Sequence, residues 1–491
     1  MPVIIGGGTY FEFWSGDPPV YLSTIRETRN RLIEFFRDAE YYQRLLKVGL
    51  PIALQQFIMS SLNMVSVMFI GQMGETAIAA VGLANQIGFL FNLLLFGVTS
   101  GSAIFTAQLW GKQDIPNIRK VLGLCLTLGM AAGLIFWMIS MLMPALALGI
   151  YSEDQAVVTL GSQYLRIFGW AFLFLPVTFS YAAVLRSTGD VRTPLIVSLA
   201  ALSFNTLLSY ALIFGRFGLP EMGVDGAALA GLLARILECG GLLILVYRWR
   251  GPAAARLAEL FRYDLQFLKK IMQRVLPVAL NELLWALGIA AYNVVYARIG
   301  TESIAAMNIA ASIDNLAFVI FIGLGNACAI LVGNRIGAGE EKLAFRYAGR
   351  SLGLAIAGGL LVGGLILAFS PLILDIYKVS PQVVDYTRKV LIIIAVFLWL
   401  RVSNLILFIG VFRSGGDTRF GFFLDAGTIW VVGVPLAVLG AFVFHLPVYF
   451  VYLMVMMDEL TKFIVGLWRY LSRRWIHNLA GMVETDAASV V

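Results

Sequence analysis

Apolar stretches of roughly 20 residues recur along the chain, the length a helix needs to cross a hydrocarbon core of ~30 Å. Short clusters of charge separate them. Twelve such spans are predicted. In the first half they lie near 47–69, 79–109, 121–143, 159–185, 194–214 and 224–247. In the second half they lie near 272–297, 304–334, 347–370, 384–411, 421–442 and 446–471. Only helices and closed barrels satisfy every backbone N–H and C=O within a bilayer, and stretches this long are helices. The fold class expected is all-α integral membrane.

The pattern also repeats. Residues 186–194 read RSTGDVRTP and residues 413–420 read RSGGDTRF, 227 positions later. Pro51 matches Pro277, Gly74 matches Gly300, Gly97 matches Gly323 and Gly111 matches Gly337, each 226 positions apart. Six spans in each half mean that both halves enter from the same side. The repeat is therefore parallel, with a pseudo-two-fold axis along the membrane normal, an arrangement used by transporters that rock two bundles about a central site. The organisation expected is a leader over 1–46, a first lobe over 47–247, a polar connector over 248–271, a second lobe over 272–471 and a tail over 472–491. Residues 20–46 carry charge at helical spacing and read as an interfacial amphipathic helix. The tail after His477 reads as disordered.

Composition agrees with this picture: apolar residues make up 59% and charged residues 13%. Of 36 Lys and Arg, 28 fall in alternate loops and termini or in the span halves beside them and 5 in the opposite loops, so both termini are expected in the cytoplasm of a cell-membrane protein. The net charge of +7 follows from this topology and implies no nucleic acid. No apolar core of 7–15 residues beside a cleavage site marks a signal peptide. Cys125, Cys239 and Cys328 are scattered through apolar spans and form neither a disulfide framework nor a metal site.

Charges inside spans are costly, roughly 2.5–3.5 kcal/mol at the centre by insertion scales, so their retention points to function. Arg235 with Glu238, and Glu459 with Lys462, sit three apart on one helix and read as local neutralisation. Glu282, Asp314, Arg401 and Asp425 lie in four different spans of the second half, without a local partner of opposite charge. Brought together, three carboxylates and one guanidinium carry a net charge of −2, which favours uptake of one H⁺ or one Na⁺. These four are the candidate ion-coupling residues. Their counterparts in the first half include Gln56, Gly88 and Phe174, so the coupling chemistry is expected in the second lobe. A competing assignment makes Arg401 a tether for Asp425 or Asp314.

Gln56, Asn85, Phe89, Asn281, Trp285 and Asn315 are candidate cavity residues, because amides and aromatics suit flat amphiphilic ligands. Ordinary helix packing is the alternative for any one of them. Glu282 and Trp285 share one helix face and are candidates for presenting a carboxylate and a ring to one cation. In the duplicated loops Gly189 and Gly416 permit a tight turn. Arg186, Asp190, Arg413 and Asp417 read either as turn and helix-cap residues or as a cytoplasmic gate whose ion pairs break as the lobes move.

The twelve-span layout, the duplicated R-S-x-G-D-x-R motif and the opening GLPIALQQFIMSSLNMVSVMFIGQMG resemble the multidrug and toxic compound extrusion (MATE) family over about residues 45–475. The resemblance implies two lobes around a cavity, and export of amphiphilic, often cationic compounds coupled to inward H⁺ or Na⁺. Two positions depart from the family pattern. Some members carry an Asp where this chain has Ser66. A seventh-span Glu eight residues after the Pro is Trp285 here, and Glu282 comes one turn earlier. The function expected is secondary active export by a monomer, without a cofactor beyond the coupling ion. The alternative is a flippase for a lipid-linked or polysaccharide precursor. No H-E-x-x-H, Cys/His cluster or nucleotide-binding motif suggests an enzyme.

Overall fold

The computed structural model describes residues 38–375 and 379–481, and these are helical apart from short connections. The first half supplies α1 (Ala39–Gly71), α2 (Glu75–Gly111), α3 (Ile115–Leu142), the short α4 (Pro144–Gly149), α5 (Gln155–Phe168), α6 (Ala171–Ser187), α7 (Arg192–Phe214) and α8 (Gly223–Trp249). A single turn, α9 (Leu257–Leu260), stands in the connector. The second half supplies α10 (Leu265–Ile299), α11 (Thr301–Gly337), α12 (Glu341–Leu374), α13 (Pro381–Arg413), α14 (Thr418–Val443) and α15 (Val448–Leu471). Among the described residues ten helices are long and apolar enough to cross a bilayer, and α5 with α6 form an eleventh span bent by 52°. α15, 24 residues long with Asp458, Glu459 and Lys462 in its middle, completes the twelve.

Helix starts follow local chemistry. Asp114 accepts the Asn117 N–H at 3.2 Å, Asp154 the Ala156 N–H at 2.9 Å and Asp264 the Phe267 N–H at 2.8 Å, each satisfying a donor the first turn leaves open. By its contacts the chain divides into Met1–Arg44 and Leu45–Val491. In the first unit Asp38 caps Tyr41 at 3.1 Å and Glu40 pairs with Arg44 at 2.6 Å. Most of the amphipathic leader expected over 20–46 lies outside the described residues.

Within Leu45–Val491 the lobes meet along a seam of small residues. A Cβ added at Gly97 would lie 2.6 Å from Ala279 Cα, and one at Gly323 would lie 2.7 Å from Ala53 Cβ. The two contacts exchange under the repeat, since Gly323 and Ala279 stand 226 residues after Gly97 and Ala53. The same exchange relates Gly111, whose added Cβ would lie 2.0 Å from the Asn334 carbonyl oxygen, to Gly337, 1.8 Å from that of Gln108. Gly333 packs on Ala107, its own repeat partner, so that contact marks the pseudo-two-fold axis. The seam is thus isologous, as in a symmetric dimer. All of these contacts fall in the halves of α1, α2, α10 and α11 nearest the basic loops. Met64, Phe89, Trp285 and Leu316, farther along the same helices, remain exposed.

The lobes differ in how they bend. The first breaks at the Gly169–Trp170 joint between α5 and α6. The second runs through π-helical turns at Ile406–Arg413, Ile429–Gly433 and Leu439–Val443. The Ile429–Gly433 turn precedes Pro435, which lacks the N–H a regular helix would use, and the wider turn absorbs that loss. The chain after α15 is a correction to the sequence reading. Residues 472–481 fold back, with Trp475, Leu479 and Ala480 buried, so 478–481 depart from the disorder expected after His477; residues 482–491 lie outside the described residues. Apolar side chains that find a seat leave water, which the composition of the tail conceals.

Candidate functional site

The four ion-coupling candidates do not gather at one point. Each of the three acids reaches a cation on another helix. Glu282 on α10 pairs with Arg413 at the end of α13. Asp314 on α11 pairs with Arg401 on α13 at 2.7 Å, and the Arg401 guanidinium lies 5.1 Å from the Phe318 ring centroid. Asp425 on α14 pairs with Lys462 on α15 at 3.0 Å and accepts from Asn281 Nδ2 at 2.9 Å. The single cluster around Arg401 is therefore replaced by three cross-helix pairs, because each span faces a different neighbour.

Lys462 is the residue that sequence reasoning misplaced. Its side chain is 3% exposed, and its Nζ lies 3.0 Å from Asp425, 3.0 Å from Asp458 and 3.9 Å from Glu459. The expected neutralisation by Glu459 alone gives way to an ammonium shared by three acids. Glu459 also accepts from Asn404 Nδ2 at 2.7 Å. Counting Asp314, Asp425, Asp458 and Glu459 against Arg401 and Lys462, this polar chain through α11, α13, α14 and α15 carries −2 when fully ionised. Buried Asp458 Oδ1, Asn281 Oδ1, Asn404 Oδ1 and the Tyr292 hydroxyl have no hydrogen-bond partner among the described residues. The Tyr292 hydroxyl and Asp458 Cβ both press on Gly433, the glycine of the π turn. Among the described residues no group of His, Cys, Asp and Glu has metal-site geometry.

The first lobe arranges its charges differently. Arg235 Nη1 pairs with Glu238 at 2.7 Å on the same helix, α8, and Glu238 accepts from Ser198 at 2.7 Å. Ser198 accepts from Gln55 at 3.0 Å, so the chain ends in neutral groups. Beside it a cavity of about 370 Å³ opens among α1, α2, α5, α7 and α8. Its wall carries Asn63, Ser66, Asn85, Asn205 and Arg235, with Tyr164 and Phe168 as flat surfaces.

Of the six cavity candidates only Asn85 lines that cavity. Asn281 is buried and spends its amide N–H on Asp425. Gln56 is half-buried, and Phe89, Trp285 and Asn315 are exposed on α2, α10 and α11. Glu282 is engaged by Arg413, so it does not offer Trp285 a free carboxylate.

The duplicated loops also diverge. Asp190 caps α7, accepting from the Thr193 N–H at 3.1 Å and its hydroxyl at 2.6 Å, and Arg186 Nε donates to the Ala182 carbonyl at 3.2 Å on its own helix. Asp417 instead pairs with Arg469 on α15 at 2.8 Å. Arg413, besides holding Glu282, donates to Ser100 on α2 at 3.1 Å and so joins the second lobe to the first. The first copy behaves as a turn with a cap; the second forms ion pairs within its own lobe and reaches the first lobe only through the Arg413–Ser100 hydrogen bond.

A MatE family model matches residues 51–211 and 277–439, one match in each half. A probable multidrug resistance protein, NorM, of Thermotoga maritima is 24% identical over 437 residues, 89% of this chain and 93% of its own. A probable multidrug resistance protein of Bacillus subtilis, YoeA, is 26% identical over 393 residues, 79% of this chain and 84% of its own. A crystal structure of MATE in the bent conformation superposes with a TM-score of 0.79 at 19% identity, covering 91% of this chain and 97% of that one. An outward-facing multidrug resistance MATE transporter of the MOP superfamily gives 0.78 at 20%, covering 88% and 96%. At these identities the two structures carry the fold.

Proposed function

Because the chain belongs to the MatE family of membrane transporters, with both halves matched, we propose that it exports amphiphilic organic cations, driven by protons entering through the second lobe. The similar proteins of Thermotoga maritima and Bacillus subtilis are called multidrug resistance proteins, which supports small organic compounds as cargo.

The observation that carries the coupling reading is the excess of acid in the second lobe. Four carboxylates face two cations within packed helices. Removing charge from such a group is worth several kcal/mol, so it holds a cation in one state and releases it in another. A proton suits the site better than Na⁺. Two places beside the carboxylates already hold Arg401 and Lys462, and a proton needs only one carboxylate oxygen. Protonated Asp458 would donate to an acceptor such as the neighbouring Tyr292 hydroxyl. Neutralising Asp425 instead weakens its pair with Lys462, the pair that ties α14 to α15.

The lobe contacts sit at the basic ends. With the basic loops assigned to the cytoplasm, this is a state closed inward and accessible from outside. The first-lobe cavity and the exposed aromatics Phe89 and Trp285 then release cargo to the outside, and the proton reaches the second lobe from that side. The cavity volume is in the range of small-molecule pockets, about 300–1,000 Å³. Its one cation, Arg235, is balanced by Glu238, which does not favour the pyrophosphate group of a lipid-linked precursor.

The test is efflux of a fluorescent aromatic cation from proteoliposomes under an imposed pH gradient or, separately, an imposed Na⁺ gradient. The pH gradient is expected to drive transport. Na⁺-driven transport at matched pH would replace the proton in this reading, and no transport under either gradient would overturn it.

A further inference from the structure

We propose that residues 475–481 form a latch that holds the lobes together at their basic ends and leaves its seat on the first lobe each time those ends part. The inference rests on the alternating-access reading above.

The segment is bonded to both lobes. On the first lobe the anchor is Gln108, near the end of α2 and fully buried. Its Oε1 accepts the Leu479 N–H at 2.6 Å, and its Nε2 donates to the His477 carbonyl at 3.1 Å and to the Ser414 carbonyl at 2.8 Å. One amide therefore ties the first lobe, the duplicated loop of the second lobe and the tail. On the second lobe His477 N–H donates to the Gly415 carbonyl at 2.9 Å, and Asn478 Nδ2 donates to the Ile336 carbonyl at 3.2 Å.

Packing gives the same answer. Trp475 is 0% exposed and lies so close to Gly415 that an added Cβ there would stand 2.4 Å from the ring. Leu479 is 0% exposed, packs on Gly416 and shares a buried apolar cluster with Leu109, Ile118 and Leu260. The first two of these belong to the first lobe. A buried side chain between two rigid bodies cannot keep both contacts when the bodies separate. Trp475 stands four residues after α15, donates to the Tyr470 carbonyl at 3.1 Å and stays with the second lobe. Leu479, with its bond and that of the His477 carbonyl to Gln108, is what must release.

The repeat shows why this contact is a latch and not a hinge. Trp475 stands 226 residues after Trp249, so the tail holds the place after the twelfth span that the connector holds after the sixth. Connector residues Ala253 and Ala255 are buried in the same cluster. The connector joins the lobes covalently. The tail's hold on the first lobe is noncovalent and reversible.

The experiment places a single thiol by Leu479→Cys in a protein whose Cys125, Cys239 and Cys328 are replaced by Ala. A membrane-impermeant maleimide is added on the face carrying the tail, at rest and during gradient-driven turnover. The expected result is protection at rest and labelling faster by about tenfold or more during turnover, the size expected when a minor open state becomes well populated. A thiol that stays protected while transport continues would overturn the proposal, as would fast labelling at rest. If Leu479→Cys fails to fold, Ala480→Cys, also buried, carries the same thiol with a smaller change. Adding Gln108→Leu to either thiol variant removes all three hydrogen bonds of that side-chain amide and is expected to speed labelling at rest severalfold in protein that remains folded. Unchanged labelling there would contradict the latch. That arm needs no transport, so it decides the latch separately from the exporter reading.

Discussion

The two lobes share a backbone and divide the chemistry. Their seam is symmetric to the level of single contacts: Gly97 on Ala279 answers Gly323 on Ala53, and Gly111 on Asn334 answers Gly337 on Gln108. Their charges are not. In the first lobe Arg235 and Glu238 sit on one helix and cancel locally, beside a cavity walled by amides and aromatics. In the second lobe Glu282, Asp314, Asp425, Asp458 and Glu459 reach cations on other helices or share one buried ammonium. A same-helix pair survives any motion of its helix. Cross-helix pairs change when helices slide, and so they connect charge to conformation. The duplication kept the seam symmetric and let the charged networks of the two lobes diverge.

The comparison breaks most sharply at Lys462. Lys462→Leu leaves Asp425, Asp458 and Glu459 with no ammonium among them, and stability should fall by about 3–5 kcal/mol. Melting in detergent and pH-driven transport measure this, and both should collapse. The first-lobe counterpart experiment, Arg235→Leu, should cost about 1–3 kcal/mol, because Glu238 keeps the Ser198 hydroxyl. Equal losses would remove the distinction between local and cross-helix pairing.

Next in size is the seam. Gly111→Leu and Gly337→Leu each force a side chain against a backbone carbonyl, and overpacking costs about 1–3 kcal/mol in the closed state. By symmetry the two should be equal, and both should favour the state open at the basic ends, read by labelling of a thiol introduced by Ala107→Cys. A large difference between them would break the symmetry. Smaller again are the loop acids. Asp417→Asn should weaken the Arg469 pair by about 1–3 kcal/mol. Asp190→Asn should cost only a few tenths of a kcal/mol, roughly, because Asn caps a helix nearly as well as Asp.

The smallest effect is at His477. Burial pushes its imidazole below the usual value, while Asp417 pulls it up. The folded chain therefore holds it neutral where the unfolded chain, with a value near 6.5, takes a proton. Stability is fully present above about 6.5 and falls as pH drops through the lower folded value. His477→Asn should flatten that part of a melting-temperature profile, and an unchanged slope would assign it to another group.

The spans were legible because a hydrocarbon core imposes length and apolarity on every segment. All twelve are present, with ends moved mostly outward by the caps at Asp114, Asp154 and Asp264. Partnership was not legible, because a sequence shows neighbours along a helix and not which helix faces it. Glu459 stands one turn from Lys462, so that pair was read as self-contained, although Asp425 on α14 is the nearer partner. Asn281 was read as cavity wall because an amide in a span suits a ligand as well as a carboxylate; its partner is Asp425. Gly416 reads in sequence as a turn residue, and Gly415 stands beside it. They also leave the notch into which Trp475 and Leu479 drop, which no local pattern announces.

The most direct measurement compares two neutralised acids under one imposed pH gradient, with efflux of an aromatic cation as the readout. Asp425→Asn alters the second-lobe chain, and Glu238→Gln alters the first-lobe pair. The division of labour between the lobes predicts that Asp425→Asn abolishes gradient-driven transport while Glu238→Gln retains it. Transport that survives Asp425→Asn and is lost in folded Glu238→Gln would place the coupling in the wrong lobe and contradict the account.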